Sequence, residues 1–168
     1  MTVRLLCFCL IPLCGTLIGL ELRRRLRVRA ESLQMLRRSL SEMKTLIAQN
    51  GLSPDGIVRE LSRRNRENEW LGLLCQLCCE MPFREAWRLS LEKCRLALSL
   101  TDSDLTRVGD MMRHMGRDDT DGTVALLEMA ESRLDGMIEE AQRKWQTDGK
   151  IYAAVGSSCG MIAALLVM

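Results

Sequence analysis

Cys75, Cys78 and Cys79 form a C-x-x-C-C run, and Cys94 follows it. A C-x-x-C pair has the spacing of half a zinc site or of a redox dithiol. A structural zinc site needs a second pair or histidines to close the tetrahedron. The chain has one histidine, His114, and no second C-x-x-C. A thioredoxin-like dithiol needs a βα context, whereas this run lies at helical spacing among Leu73, Leu74 and Leu77. The three thiols therefore read as packing residues, reduced in a cytoplasm. The alternative, a thiol or metal enzyme, predicts bound zinc or loss of activity when they become Ser. Cys7, Cys9, Cys14 and Cys159 fall in the apolar ends of the chain, where Cys acts as a small apolar residue.

No other residues assemble into a reacting set. A single histidine among scattered acids makes neither a Ser-His-Asp triad nor an acid–base pair. Asp118-Asp119-Thr120-Asp121-Gly122 has the flavour of a calcium loop but lacks the closing Glu at the required distance. An Asp-capped helical turn explains it better. There is no G-x-x-x-x-G-K-[ST] loop to cradle a nucleotide. Met111, Met112 and Met115 read as core filler. No catalytic, cofactor or metal residue is assigned, and the chain is expected not to be an enzyme.

The elements that must do something else are set by a segregation of charge. The 168 residues (19.1 kDa) are 47% apolar and 27% charged, with a net charge of +2. That balance and an aromatic content of 4% argue against a nucleic-acid binder. Every charged residue except Arg4 lies between Glu21 and Lys150. Leu5 to Leu20 is apolar throughout, and as helix it reaches about 24 Å of a hydrocarbon core about 30 Å thick. Residues 1–3, with Arg4 snorkelling, close the gap. A signal peptide is the competing reading, but no small-residue cleavage site follows the run. Ile151 to Met168 carries no charge, and its Gly156, Ser157, Ser158 and Gly160 would let another helix approach closely. Its competing reading is a buried C-terminal helix. The expected organisation is a transmembrane anchor over residues 1–20, a cytoplasmic bundle over 21–150 and a transmembrane helix over 151–168.

Orientation follows from the flanks. Arg23, Arg24, Arg25, Arg27 and Arg29 follow the first span, and Arg143, Lys144 and Lys150 precede the second. The positive-inside bias puts the middle piece in the cytoplasm. The arginine cluster also suits anionic headgroups, at about 1 kcal/mol per basic residue; the plainer reading is that it only fixes topology.

The middle piece is helical by its periodicity. Leu26, Leu33, Leu36, Leu40, Met43 and Ile47 form one stripe, which Asn50-Gly51 ends. Ser53-Pro54 opens a second helix with Ile57, Val58 and Leu61. A polar turn at Asn65 to Asn68 precedes a helix over Glu69 to Met81. Pro82 starts another, running through Phe83, Ala86, Trp87, Leu89, Leu91 and Leu96. Thr101-Asp102-Ser103-Asp104 has the form of a capping box for a helix through Met115. Gly116 to Gly122 is expected as a polar turn, and the last helix from about Thr123. No stretch alternates with period two, so the fold class is all-α, a helical bundle with a transmembrane helix at each end. Asp102 to Glu140 holds eleven acids against four arginines, which reads either as a solvated face or as a dock for a basic partner.

These features together resemble the stage III sporulation protein AB family of endospore-forming bacteria, over almost the whole chain. The residues that carry the resemblance are the leucine stripe after Arg29, Leu52-Ser53-Pro54, Phe83 with Ala86-Trp87, and Gly116-x-x-Asp119-x-x-Gly122. Gly149-Lys150-Ile151-Tyr152, leading into Gly156 and Gly160, completes the set. The chain departs from the family at Thr123, where Gln is frequent, and at Leu46, where an acid is frequent. The family is similar to the cytoplasmic F-domain of type II secretion and type IV pilus platform proteins, a helical bundle. The resemblance implies a place in the channel between mother cell and forespore, in the mother-cell membrane facing the forespore. The partners it implies are the secretion-type ATPase of that assembly and other channel subunits, with membrane lipids around the spans and no nucleic acid. A homo-oligomer stays open, as does a membrane-bound regulator unrelated to secretion. The candidate partner-docking turn is Gly116, Asp118, Asp119, Asp121 and Gly122.

Overall fold

The computed structural model describes the backbone of residues 2–50, 54–113 and 120–167. Side chains are described for residues 13–49, 54–113 and 122–152, and for Ala154, Val155 and Ser158. The described residues form six helices and no strand: α1 (Thr2–Asn50), α2 (Pro54–Arg64), α3 (Glu69–Cys78), α4 (Phe83–Lys93), α5 (Asp102–Met111) and α6 (Thr120–Val167). The chain divides into two compact units, one of Met1–Glu31 with Glu139–Met168 and the other of Ser32–Ile138.

In the unit Ser32–Ile138 the stripe of α1 does what its spacing dictates. Leu33, Leu36, Leu40, Met43 and Ile47 are all buried, as is Leu46 beside them. Between α1 and α6 come three short helices packed in series after α2: α2 on α3, α3 on α4, α4 on α5. Each is locally well specified. Asp55 lies in the first turn of α2, and Arg63 and Arg64 in its last, both matched to the helix dipole. Asn68 caps α3, its side chain accepting from the Leu71 amide at 3.3 Å. The expected capping box on α5 is present: Thr101 Oγ1 accepts from the Asp104 amide at 3.2 Å, and the Asp104 carboxylate accepts from the Thr101 amide at 3.0 Å. Leu127, Ala130, Leu134 and Met137 of α6 complete the core.

Four expected boundaries move. Helix α3 ends at Cys78 rather than Met81: the Glu80 and Met81 amides both donate to the Leu77 carbonyl at 3.0 Å, closing the last turn ahead of Pro82, which disfavours helix in the residue before it. Leu96 does not continue the apolar stripe of α4; the helix ends at Lys93 and Leu96 is 89% exposed. The chain instead closes a Schellman-type turn, with the Leu100 amide donating to the Arg95 carbonyl at 3.1 Å and the Ser99 amide to Leu96 at 3.2 Å. Ser99 takes the left-handed position (φ 51°), and Leu100, not Leu96, enters the core. Helix α5 ends at Met111 rather than Met115. Helix α6 starts at Thr120, so Asp121 and Gly122 are helical rather than part of a turn reaching Gly122. An acid in a first turn favours the helix. The glycine's penalty of about 1 kcal/mol is offset by burial of Thr123 and Leu127 just behind it.

In the unit Met1–Glu31 with Glu139–Met168, Gly149 is buried. A Cβ there would stand 3.1 Å from Arg23 Cγ and 3.5 Å from Trp145 Cδ1. Glycine lets the arginine stem lie directly on the α6 backbone. Among the described residues no helix is long and apolar enough to cross a membrane. Positions 5–12 of the first apolar run, and most of the second, lie outside the residues whose side chains are described.

Candidate functional site

The thiols come first, because their spacing could do chemistry. Cys75 and Cys78 lie half-buried on α3, and Cys79, its C-cap, is exposed. Burial pushes the Cys78 thiol up to about 12, with nearby Asp55 adding to the effect. Burial also raises Cys94, with Glu69 adding to it. A thiol held above its ordinary range is a poor nucleophile at neutral pH. Cys79 Sγ donates to the Cys75 carbonyl at 3.4 Å, a bond within one helix turn. The described cysteines Cys14, Cys75, Cys78, Cys79 and Cys94 are free. Among the described residues no three His, Cys, Asp or Glu side chains gather as a metal site.

Of the proposed docking turn, Gly116, Asp118 and Asp119 lie outside the described residues, as does His114. Asp121 and Gly122 occupy the start of α6. The acidic stretch that follows is engaged with α1 within the unit Ser32–Ile138. Arg37 holds Asp135 side-on, donating from Nε and Nη2 to its two carboxylate oxygens, and Lys44 Nζ lies 2.9 Å from Glu131 and 3.7 Å from Glu128. The Asp135 hydrogen bond raises Arg37 above its ordinary value, and the Glu131 hydrogen bond does the same for Lys44. Part of that acidic face thus neutralises the α1 helix instead of waiting for a partner.

The basic cluster divides. Arg23, Arg24, Arg25 and Arg27 are exposed, with Arg25 paired to Glu21 and Arg27 to Glu31. Arg29 is buried, on the same face of α1 as Leu33 and Leu36. Exposed apolar side chains precede this cluster on α1, at Leu13, Leu17, Ile18, Leu20 and Leu22, and others are exposed on α6, at Ile151, Tyr152 and Val155. All belong to the unit Met1–Glu31 with Glu139–Met168. The only other exposed large hydrophobic residues described are Leu96 and Met129.

A feature that sequence reasoning missed is an open cleft of about 730 Å³ in the unit Ser32–Ile138. The end of α2 lines it with Arg63 and Arg64, the α2–α3 turn with Arg66 and Glu67, the start of α3 with Glu69, and the turn after α4 with Cys94, Ala97 and Leu98. Arg63 and Arg64 both reach Glu60, at 3.0 and 2.8 Å. Their hydrogen bonds, Arg64 foremost, hold its carboxyl below the usual range. The signal was the run Arg63-Arg64-Asn65-Arg66, legible in the sequence only as a polar turn.

The family model of stage III sporulation protein AB matches residues 4–168. The chain belongs to that family. No curated protein and no solved structure matches it. The family match spans both apolar runs and the whole bundle. Leu46 and Thr123 are both buried in the unit Ser32–Ile138. Gly149, within the matched range, is the residue on which Arg23 rests.

Proposed function

We propose that the protein is a non-enzymatic, membrane-tethered platform of the channel between mother cell and forespore, acting in endospore formation. Its family membership supports a role in sporulation. The observation that carries the tethered reading is that the exposed large apolar residues described, Leu96 and Met129 apart, lie in the unit that holds both apolar runs. Leu13, Leu17, Ile18 and Leu20 stand more than half exposed on α1, a pattern that water penalises and lipid does not. Arg23, Arg24, Arg25 and Arg27 follow on the same helix, and Tyr152 on α6 suits a headgroup boundary. In this reading the middle piece, residues 21–150, faces the mother-cell cytoplasm.

The bundle docks the secretion-type ATPase of the assembly, and the membrane helices engage channel subunits. The docking segment is Gly116 to Gly122, whose C-terminal end is the first turn of α6. The test is co-purification of the detergent-solubilised full chain with the sporulation ATPase of the same cell. A complex that survives moderate salt is expected. A folded bundle with no ATPase complex would overturn the platform reading and leave a membrane scaffold or regulator.

A further inference from the structure

We propose that the unit Met1–Glu31 with Glu139–Met168 holds the headgroup of an anionic phospholipid between Arg23 and Arg24 of α1 and Lys150 of α6. This site presupposes the tethered reading and adds a lipid preference that tethering alone does not require. The register of the two helices carries it. The stem of Arg23 rests on Gly149, its Cγ 3.1 Å from where a Cβ would stand. Arg23 is thereby level with Gly149 and beside Lys150, the next residue of α6. On α1 the exposed apolar side chains end at Leu22, one residue before Arg23. On α6 they begin at Ile151, one residue after Lys150. The contact thus brings both polar-to-apolar transitions to one level, although the two residues lie near opposite ends of the chain.

The charge at that level is one-sided. Glu21 to Arg27 and Arg143 to Lys150 hold seven basic residues against two acids, Glu21 and Asp148. Arg25 pairs with Glu21, Arg27 with Glu31 and Lys144 with Glu140. Arg23, Arg24, Arg143 and Lys150 are exposed and form no ion pair among the described residues. Only the half-buried Asp148 opposes them within those stretches. Glu139, the unit's other acid without an ion pair among the described residues, lies roughly 16 Å along α6 from Lys150. Arginine offers paired N–H donors to phosphate oxygens, and lysine a compact charge. Acyl chains leaving that phosphate meet Leu20, Leu22 and Ile151, all exposed. A free phosphate makes no use of that surface. A zwitterionic lipid brings an ammonium group that the surplus positive charge repels. The occupant that matches both features is an anionic phospholipid.

The test is native mass spectrometry of the delipidated full chain in a neutral detergent. The chain is titrated with phosphatidylglycerol or with phosphatidylcholine of the same acyl chains. A micelle has no sides, so charges that serve only to orient the chain in a membrane have no effect there. Phosphatidylglycerol should bind about tenfold more tightly, weaken with added salt, and withstand an excess of glycerol phosphate. The variant Arg23→Gln/Arg24→Gln/Lys150→Gln should lose that preference. The pair Arg24→Gln/Lys150→Gln, which spares the contact on Gly149, should lose most of it. Arg59→Gln/Arg66→Gln/Arg88→Gln removes the same charge from the unit Ser32–Ile138 and should keep it. All six positions are exposed, so far-UV circular dichroism should show the same helix content throughout. Equal binding of the two lipids by wild type would overturn the proposal and leave the tether standing; binding of neither would overturn both. An equal loss in the Arg59, Arg66 and Arg88 variant would overturn the site, because net charge alone would then explain the preference. Displacement by glycerol phosphate would also overturn it, because the occupant would then be a soluble phosphate.

Discussion

Trp70 and Trp87 meet edge to face, with ring centroids 5.2 Å apart and planes at 83°, and Ser90 joins them. The Trp70 indole donates to Ser90 Oγ at 3.0 Å, and Ser90 Oγ donates to the Trp87 carbonyl at 2.8 Å. The Trp87 indole donates in turn to the Val108 carbonyl at 3.1 Å. One relay therefore ties α3 to α4 and α4 to α5, with both rings buried. Removing the hydroxyl orphans a buried indole N–H, so Ser90→Ala should destabilise the chain by about 1–3 kcal/mol. Trp70→Phe removes the orphan along with its partner. The double variant should therefore lose less than the two single losses added together, measured by urea denaturation with far-UV circular dichroism. Strict additivity would mean that Ser90 contributes only through its own packing.

Ser99 invites the opposite kind of change. Its φ of 51° is glycine territory, and its place in the hydrogen-bonded turn is the one glycine usually fills. Ser99→Gly should relieve about 1 kcal/mol of backbone strain, less what the more flexible residue adds to the unfolded chain. Ser99→Val places a β-branched side chain there and should destabilise by more than glycine gains. Thermal denaturation of the two variants should move in opposite directions. A glycine variant no more stable than wild type would mean that local contacts already compensate the strain.

This same turn shows where the sequence stopped being legible. Leu96 lies a heptad from Leu89, so helical periodicity carried α4 through it. Nothing in Cys94 to Ser99 is Gly or Pro, the residues that usually mark a stop. The helix ends because Leu100 is the better core residue and a left-handed serine delivers it. Arg29 misled differently. Grouped by charge it belongs with Arg23 to Arg27, but grouped by period it belongs with Leu33 and Leu36, and burial follows period. The capping box at Thr101 was legible because both partners are local. The cleft was not, because Arg63 and Leu98 come to line it only through the packing of α2 on α3 and α3 on α4.

The cysteine run predicts an ordered reactivity. Cys79 is exposed, whereas Cys78 is half-buried with its thiol pushed up to about 12. At pH 8 maleimide should label Cys79 of the native chain well before Cys78, and denaturant should erase the difference. The raised value also sets a pH dependence. The protonated thiol is favoured on folding, so this group's contribution is intact below its ordinary value of 9.0 and is lost as pH rises. Peptide mapping by mass spectrometry reads the order. Faster labelling of Cys78 would show that the run is chemically poised after all.

Glu60 titrates in the other direction. Its carboxyl is held below its ordinary 4.5 by Arg64 first and Arg63 next. The ionised form is favoured on folding, so the contribution is present above pH 4.5 and is lost as pH falls through the lowered value. Wild type should be slightly more stable than Glu60→Gln at neutral pH, and the two should converge in acid. The group is solvated, so the difference is small.

Gly149 tests the contact between Arg23 and the α6 backbone. An added Cβ would meet Arg23 Cγ at 3.1 Å, close enough that the arginine stem must shift by a few tenths of an ångström. Arg23 is exposed and flexible, so it can yield. Alanine also recovers about 1 kcal/mol of helix propensity. Gly149→Ala should therefore be neutral or mildly stabilising. Gly149→Leu cannot be absorbed by a small shift: its side chain must displace both the Arg23 stem and Trp145, whose Cδ1 lies 3.5 Å from the Cβ position. It should lower thermal stability in detergent and change the environment of Trp145. The shift of Trp145 emission is read with Trp70 and Trp87 replaced by Phe. If leucine left both stability and Trp145 emission unchanged, Arg23 would not rest on Gly149 in the folded protein.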